Sequence, residues 1–428
     1  VRAHRLSCRF RNLTGHAAEG GLDVDVLRYT LTLFVCLGIA QGVAGLLAVI
    51  AFAARKPPRL TGLPPVTILK PICGDEPLLE EAITSFCRQN YPDVQLVIGA
   101  QDAADPALAA ARRVAHWHPE ADVQIVVDPA RQGVNGKIAN LINMLPYAKH
   151  DVLVIADSDL HVTPDYLEKI VAELQLPGTG LVTTLPAAEP AAAGPAATIG
   201  SSHLTHGFLP SALIGAALGR QDCLGGTMAL YRDDLERIGG LEALVDQLAD
   251  DNLLGEKIRE LGLAVRIAKT LPVVTVQEKT FHDLWQHELR WARTIGSVAP
   301  LSLAGCVLQY PIFWALLALP IFSKPLWGLA LLATACAARA LIQRGIDAAL
   351  APHRARPVHP TPLWQLPVRD VLSVAEIVAS FFGRQVVWRG RTLYAGRIAP
   401  ARPLVPIAGI APVLQDSFAG ETESIVIG

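Results

Sequence analysis

An α/β fold with a largely parallel sheet, tethered by apolar helices towards both ends of the chain, is what the sequence predicts. Three observations carry it: short apolar strands alternate with amphipathic helices from Val66 to Ala268, an uncharged apolar run covers Tyr29 to Ala53, and apolar stretches return after Leu301. Regular β-α alternation predicts parallel strands joined by helical crossovers. The terminal runs are long enough to cross a bilayer, which takes roughly 20 residues.

Composition agrees. The 428 residues are 51% hydrophobic and only 18% charged, too apolar for an ordinary soluble enzyme of that length, so part of the chain belongs in membrane. A formal net charge of −2 excludes the basic excess of a nucleic-acid binder. Seven scattered cysteines without a C-x-x-C pair exclude a zinc site and a disulfide framework.

Taken in order, Val1 to Asp25 lacks periodicity and any signal-peptide core and is expected as a disordered tail. The anchor follows at 26–56. Arg55, Lys56 and Arg59 come directly after it, so the positive-inside rule places the next domain in the cytoplasm, beneath the inner or cell membrane. Pro57-Pro58 and Pro64-Pro65 make a linker into a domain at 60–297. Its predicted strands are 66–70, 94–100, 123–127, 152–156, 180–185, 224–231 and 264–268. Its predicted helices are 76–89, 106–117, 136–147, 164–174 and 251–261. Pro186 to Gly200, rich in Ala and Pro, reads as a connection. Residues 298–428 form a C-terminal membrane region with spans at 301–322 and 325–342. Basic clusters on both sides of 371–382 predict an interfacial or re-entrant segment there.

The pivotal stretch is Asp151 to Leu160, DVLVIADSDL. Its apolar run reads as a buried strand ending in Asp157 and Asp159, at the sheet edge where ligands of open α/β folds collect. Two carboxylates one residue apart can offer hard oxygen donors to one divalent cation. Asp102, after the second strand, suits either a nucleobase or ribose contact or a plain turn. Gly133 to Lys137 opens a helix whose N–H groups and lysine suit a diphosphate, or else form an ordinary capped start. Asp251 begins another helix, where the macrodipole favours its anion and a role as base; Asp250, one position earlier, is expected to point away. Trp285 and Trp291 suit a headgroup-level helix, and Arg290 a phosphate.

Taken together, Asp102, Asp157/Asp159, Asp251 and the His287-x-x-Arg290-Trp291 element resemble the D, DxD, D, (Q/R)xxRW pattern of family 2 and family 21 glycosyltransferases, in particular ceramide glucosyltransferases and bacterial hopanoid-associated glycosyltransferases. Supporting stretches are Lys70-Pro71 with Gly74, QDAADPA, GVNGKIANLINM, ADSDLHVTPDYL, GSSH ending at His203, DCLGGTMALYRDDL, ADDN and HELRWARTI. The resemblance implies a GT-A fold and an inverting transfer of glucose or N-acetylglucosamine from a UDP-sugar to a lipid hydroxyl, on ceramide or a polyol hopanoid. It implies that Asp102 contacts uridine, that Asp157 and Asp159 hold a divalent cation (Mg or Mn) and the diphosphate, and that Asp251 is the base. Lys137, Arg290 and Trp291 would flank the leaving diphosphate and the acceptor, and His203 and Cys223 would line the pocket. His287 departs from the pattern, which has Gln or Arg there. Two rivals are a processive polysaccharide synthase, which needs a pore of more spans, and a non-catalytic scaffold, which should have lost acidic positions.

Overall fold

The computed structural model describes residues 3–191, 193–357, 361–388 and 391–394. In chain order these form α1 (Ala3–Ala54), β1 (Val66–Pro71), α2 (Leu79–Cys87), β2 (Val94–Ala100), α3 (Ala107–Trp117), β3 (Asp122–Val127), α4 (Gly136–Met144), β4 (Val152–Ala156), β5 (Leu160–His161), α5 (Tyr166–Leu174), β6 (Thr179–Thr183) and β7 (Ala187–Pro190). There follow α6 (Pro195–His203), α7 (Leu209–Ala217), β8 (Thr227–Tyr231), α8 (Arg232–Arg237), α9 (Asp250–Glu260), β9 (Ala264–Ile267), β10 (Val273–Val276), α10 (Phe281–Val298), α11 (Pro300–Gly305), α12 (Pro311–Ala318), α13 (Pro325–Leu350), α14 (Leu366–Ser380), β11 (Gln385–Trp388) and β12 (Arg391–Tyr394).

The main sheet has the order β3-β2-β1-β4-β8-β6-β9. Strands β3, β2, β1 and β4 run parallel, so the loops after β1, β2 and β4 share one edge. Strand β8 is antiparallel to both β4 and β6. The expectation of a largely parallel α/β sheet is borne out, with this one reversed strand as a refinement that periodicity could not reveal. Its register matters: Ala156 pairs with Thr227, so the start of β8 meets the end of β4. Both faces are covered, one by apolar side chains of α2, α3 and α5 and the other by those of α4 and α9. That explains why β4 reads as an unbroken apolar run, VLVIA, with every residue buried.

A second sheet, β5-β10-β7, lies partly in the stretch expected as a connection. Alanine has little strand preference of its own, so β7 owes its conformation to parallel pairing with β10. This small sheet joins the outer helices. Val49 and Phe52 of α1, Leu213 of α7 and Ile346 of α13 share a core with Ala187 and Val273.

Two expectations about the flanks are corrected. Residues 3–25, expected as a disordered tail, form the first part of α1, which no proline interrupts before Pro57. Residues 301–322 are not one straight span: Pro300–Gln309 and Pro311–Ile321 meet at a 65° bend, where Pro311 cannot donate to the preceding turn. The stretch 371–382 lies largely within α14, whose Arg369, Asp370 and Glu376 are buried against protein. Among the described residues two helices are long and apolar enough to cross a membrane, Asp23–Ala54 and Pro325–His353.

Candidate active site

The site grows from the end of β4. The N–H of Asp157 donates to the carbonyl of Gly226 at 3.1 Å, which fixes the Asp157–Asp159 turn against the loop entering β8. Behind the turn, the buried Lys70 at the end of β1 donates from Nζ to the carbonyl of Asp157 at 2.7 Å. Burial lowers the Lys70 ammonium to about 8, against the opposing pull of Asp159, Glu76 and Asp157.

Helix α4 delivers the main cation. Asn135 caps it, its side-chain oxygen accepting from the N–H groups of Lys137 and Ile138 at 3.0 and 3.2 Å. The same side chain donates to the carbonyl of Gln247 at 2.8 Å and to Asp250 Oδ1 at 3.1 Å, so one cap ties α4 to α9. Lys137 Nζ then lies 2.6 Å from Asp157 Oδ1 and 3.9 Å from Asp250 Oδ2. Burial works against its charge, but Asp157 and Asp250 outweigh that and hold the ammonium above its ordinary value.

Helix α9 supplies two carboxylates with separate surroundings. Asp250 is buried on Asn135 and Lys137, contrary to the expectation that it points away; burial raises its pKa and Lys137 opposes the rise. The carboxylate of Asp251 faces the loop before β8, where a Cβ on Gly225 would fall 2.7 Å from Oδ2. Burial, with Asp250 adjacent, pushes Asp251 up to about 7 and overrides the macrodipole. Asp159 is likewise pushed up to about 7 by burial and by the charges of Asp157 and Glu76. Asp159 offers a hard oxygen donor whose ionisation a divalent cation would favour, whereas Asp157 and Asp250 already have Lys137 as counter-charge.

Other expected site residues stand differently. Asp102 is exposed; its Oδ1 accepts from the N–H of Ala104 at 2.9 Å, so it does form a turn. Asp105 fastens that turn to the loop after β1, accepting from Gly74 N at 2.9 Å. Cys223 is buried next to Gly255 of α9, and burial, with the charge of Asp251, pushes its thiol up to about 12. His203 comes together with Glu288 and Glu376; burial lowers its imidazole to about 4, and its Nδ1 has no hydrogen-bond partner. On α10, Trp291 packs against Leu204 and Val276 and sets its ring edge-on to that of His287, 4.4 Å between centroids. His287 Nδ1 pairs with Glu278. Arg290 is half-buried on the same helix.

Roles that the sequence reading did not assign are those of Asn135 as a bridge, Asp250 as a partner of Lys137, and Lys70 under the turn. An Asn before Gly at a helix start was a visible capping signal. Nothing local marks the other two, since their roles come from strands and helices distant in sequence.

Comparison with known proteins gives a consistent result. The family model described as glycosyl transferase family 21 matches residues 30–397. Ceramide glucosyltransferase 1 of Caenorhabditis elegans is 24% identical over 243 residues, which is 56% of this chain and 51% of that protein. The ceramide glucosyltransferase of Komagataella phaffii is 29% identical over 172 residues, 38% of this chain and 33% of that one. The chain thus spans about half, or less, of the length of these curated relatives. Among solved structures, a mannosyltransferase from Pyrobaculum calidifontis in complex with GDP-Man and Mn2+ aligns over 82% of this chain and 99% of its own, at 22% identity and a TM-score of 0.49.

Proposed function

The chain belongs to glycosyl transferase family 21, and from that premise we propose that it moves glucose or N-acetylglucosamine from a UDP-sugar to a hydroxyl of a membrane lipid, ceramide or a polyol hopanoid, with inversion. The observation that carries this reading is the convergence of Lys137, Asp157, Asp250 and Asp251 at the edge where β4 ends and β8 begins. It sets a cation for a diphosphate beside a carboxylate able to take a proton.

In this reading Asp251 accepts the proton of the lipid hydroxyl as that oxygen attacks the anomeric carbon. A carboxylate at about 7 is basic enough to accept a proton and is half ionised near neutral pH. Lys137 answers the negative charge that grows on the departing diphosphate. Asp157 and Asp159 would hold a divalent cation, which when bound neutralises further diphosphate charge. Asp102 reaches the uridine from the turn after β2, and Arg290 and Trp291 on α10 flank the diphosphate and the acceptor. Cys223 and His203 line the pocket from beneath, the first under Asp251 and the second beside α10. The two membrane-length helices keep the site near its lipid, and Arg55, Lys56 and Arg59 orient it towards cytoplasmic UDP-sugar.

The test uses the full chain in lipid nanodiscs with UDP-glucose or UDP-N-acetylglucosamine and with ceramide or a hopanoid polyol. Mass spectrometry should find one acceptor heavier by one sugar, with UDP released in equal amount. No glycolipid from any pairing, or UDP release without one, would contradict the reading.

A further inference from the structure

Beneath α10 lies an ion network that the proposed chemistry leaves unused. Arg369 of α14 is 1% exposed, one of the largest fully buried side chains. Its guanidinium meets Glu288 of α10 at 2.8 Å, Glu376 of its own helix at 2.8 Å and Ser373 Oγ at 2.9 Å. It also reaches the carbonyl of Ile199 in α6 at 3.4 Å. Both carboxylates are nearly without solvent contact. With His203 they have the composition of a metal site, but the charges close without a metal: burial, with the charge of Glu288 beside it, raises the Glu376 carboxyl to about 10 and keeps it protonated, and the Arg369 guanidinium answers Glu288.

The next residue along faces elsewhere. Asp370, fully buried, accepts from Arg339 Nε of α13 at 3.2 Å and from the N–H of Ile312, at the start of α12, also at 3.2 Å. Consecutive positions on a helix diverge by about 100°. Arg369 and Asp370 therefore grip opposite neighbours, one the helix of the HELRW segment and the other a membrane-length helix.

We propose that Arg369 is a positioning residue: through Glu288 and the carbonyl of Ile199 it sets the spacing of α10 and α6, and so the placement of Arg290, Trp291 and His203. This rests on the reading of α10 as the element that flanks diphosphate and acceptor. Glu288 lies two residues before Arg290, within the same helical turn, so a shift of one carries the other. The guanidinium suits the task because its planar fork can serve several acceptors at once from a fixed plane. Asp370 fixes α14 to α12 and α13, so the setting of α10 is referred to the membrane-length helix itself.

Removing Arg369 alone would leave the buried Glu288 carboxylate without a counter-charge and risk misfolding. The informative variant is the neutral set Arg369→Met/Glu288→Gln/Glu376→Gln, which keeps shape and removes every charge. Two measurements on the full chain in nanodiscs decide. Amide hydrogen exchange should speed up at least tenfold in α10 and remain as in wild type in β1, β2 and β4. Transfer to lipid should lose roughly 10²-fold in kcat, the scale for about an ångström of misplacement, while UDP affinity falls less than tenfold, since Lys137 still faces the diphosphate. Wild-type protection in α10, unchanged transfer, or exchange accelerated throughout the central sheet would each overturn the proposal. The exchange arm needs no sugar donor. If wild type shows no transfer, the functional reading fails while the exchange result still judges the positioning role.

Discussion

Gly225 and Asp251 are in such close register that no side chain fits between them: with φ at +80°, a Cβ on Gly225 would lie 2.7 Å from Asp251 Oδ2. The loop before β8 thus forms one wall for the carboxylate assigned as base. Gly225→Ala should cost about 1–2 kcal/mol from the left-handed backbone and, by displacing Asp251, lower kcat at least tenfold. Gly178→Ala is the control, since its φ is +75° with nothing within 4 Å. It should lose similar stability in thermal unfolding and keep its kcat. Equal activities in the two variants would show that the wall does not matter.

Lys137 joins the carboxylates of two elements, so its charge serves the fold and, in the proposed reading, the donor as well. Lys137→Met should destabilise by about 3 kcal/mol, the lower end for a broken buried pair because Asp157 is one-third exposed. It should also raise the KM for UDP-sugar more than tenfold. Denaturant titration and donor-dependent kinetics check the two parts. An unchanged donor KM would remove Lys137 from the diphosphate site.

The neighbours Asp250 and Asp251 should fail in different ways. Asp251→Asn keeps volume but cannot take a proton, so kcat should fall by about 10² to 10⁴ with UDP affinity little changed. Asp250→Asn weakens the pairing with Lys137 and should act on stability and donor KM instead. Because burial raises Asp251 to about 7 and the base must be ionised, kcat should fall roughly tenfold per pH unit below about 7 and level off above it. A pH profile flat down to pH 5 would place the base elsewhere.

In the proposed reading Asp157 and Asp159 hold a divalent cation, so transfer depends on it. Excess chelator should abolish activity, Mg or Mn should restore it, and Asp159→Ala should be inactive with either. Isothermal titration of Mn into wild type and Asp159→Ala gives a second readout: binding in the first, loss in the second. Undiminished transfer in excess chelator would sink the assignment.

How much of this the sequence disclosed depended on whether the signal was local. Strand β4 was legible because burial on both faces demands the apolar run VLVIA, and the carboxylates ending it followed directly. The capped start of α4 was legible through Asn135-Gly136. The bend at Pro311 had its proline in plain view, although hydropathy alone reads through it. What stayed hidden depends on distant partners. The strand β7 exists because β10 lies beside it, β8 runs antiparallel because its neighbours accept that register, and Asp250 turns inward because α4 brings Lys137 to it. Arg369, beside Asp370 in LPVRDVLSVAE, carries no local sign of its role, which comes from Glu288 on another helix and Glu376 a turn or two along its own.

The central claim is a single displacement in which a lipid oxygen, deprotonated by Asp251, replaces UDP at the anomeric carbon. Proton NMR of the glycolipid made from an α-linked UDP-sugar reads that step directly. The account predicts a β-anomeric coupling from the first turnovers onward; an α-anomeric product would require a second displacement and would contradict it.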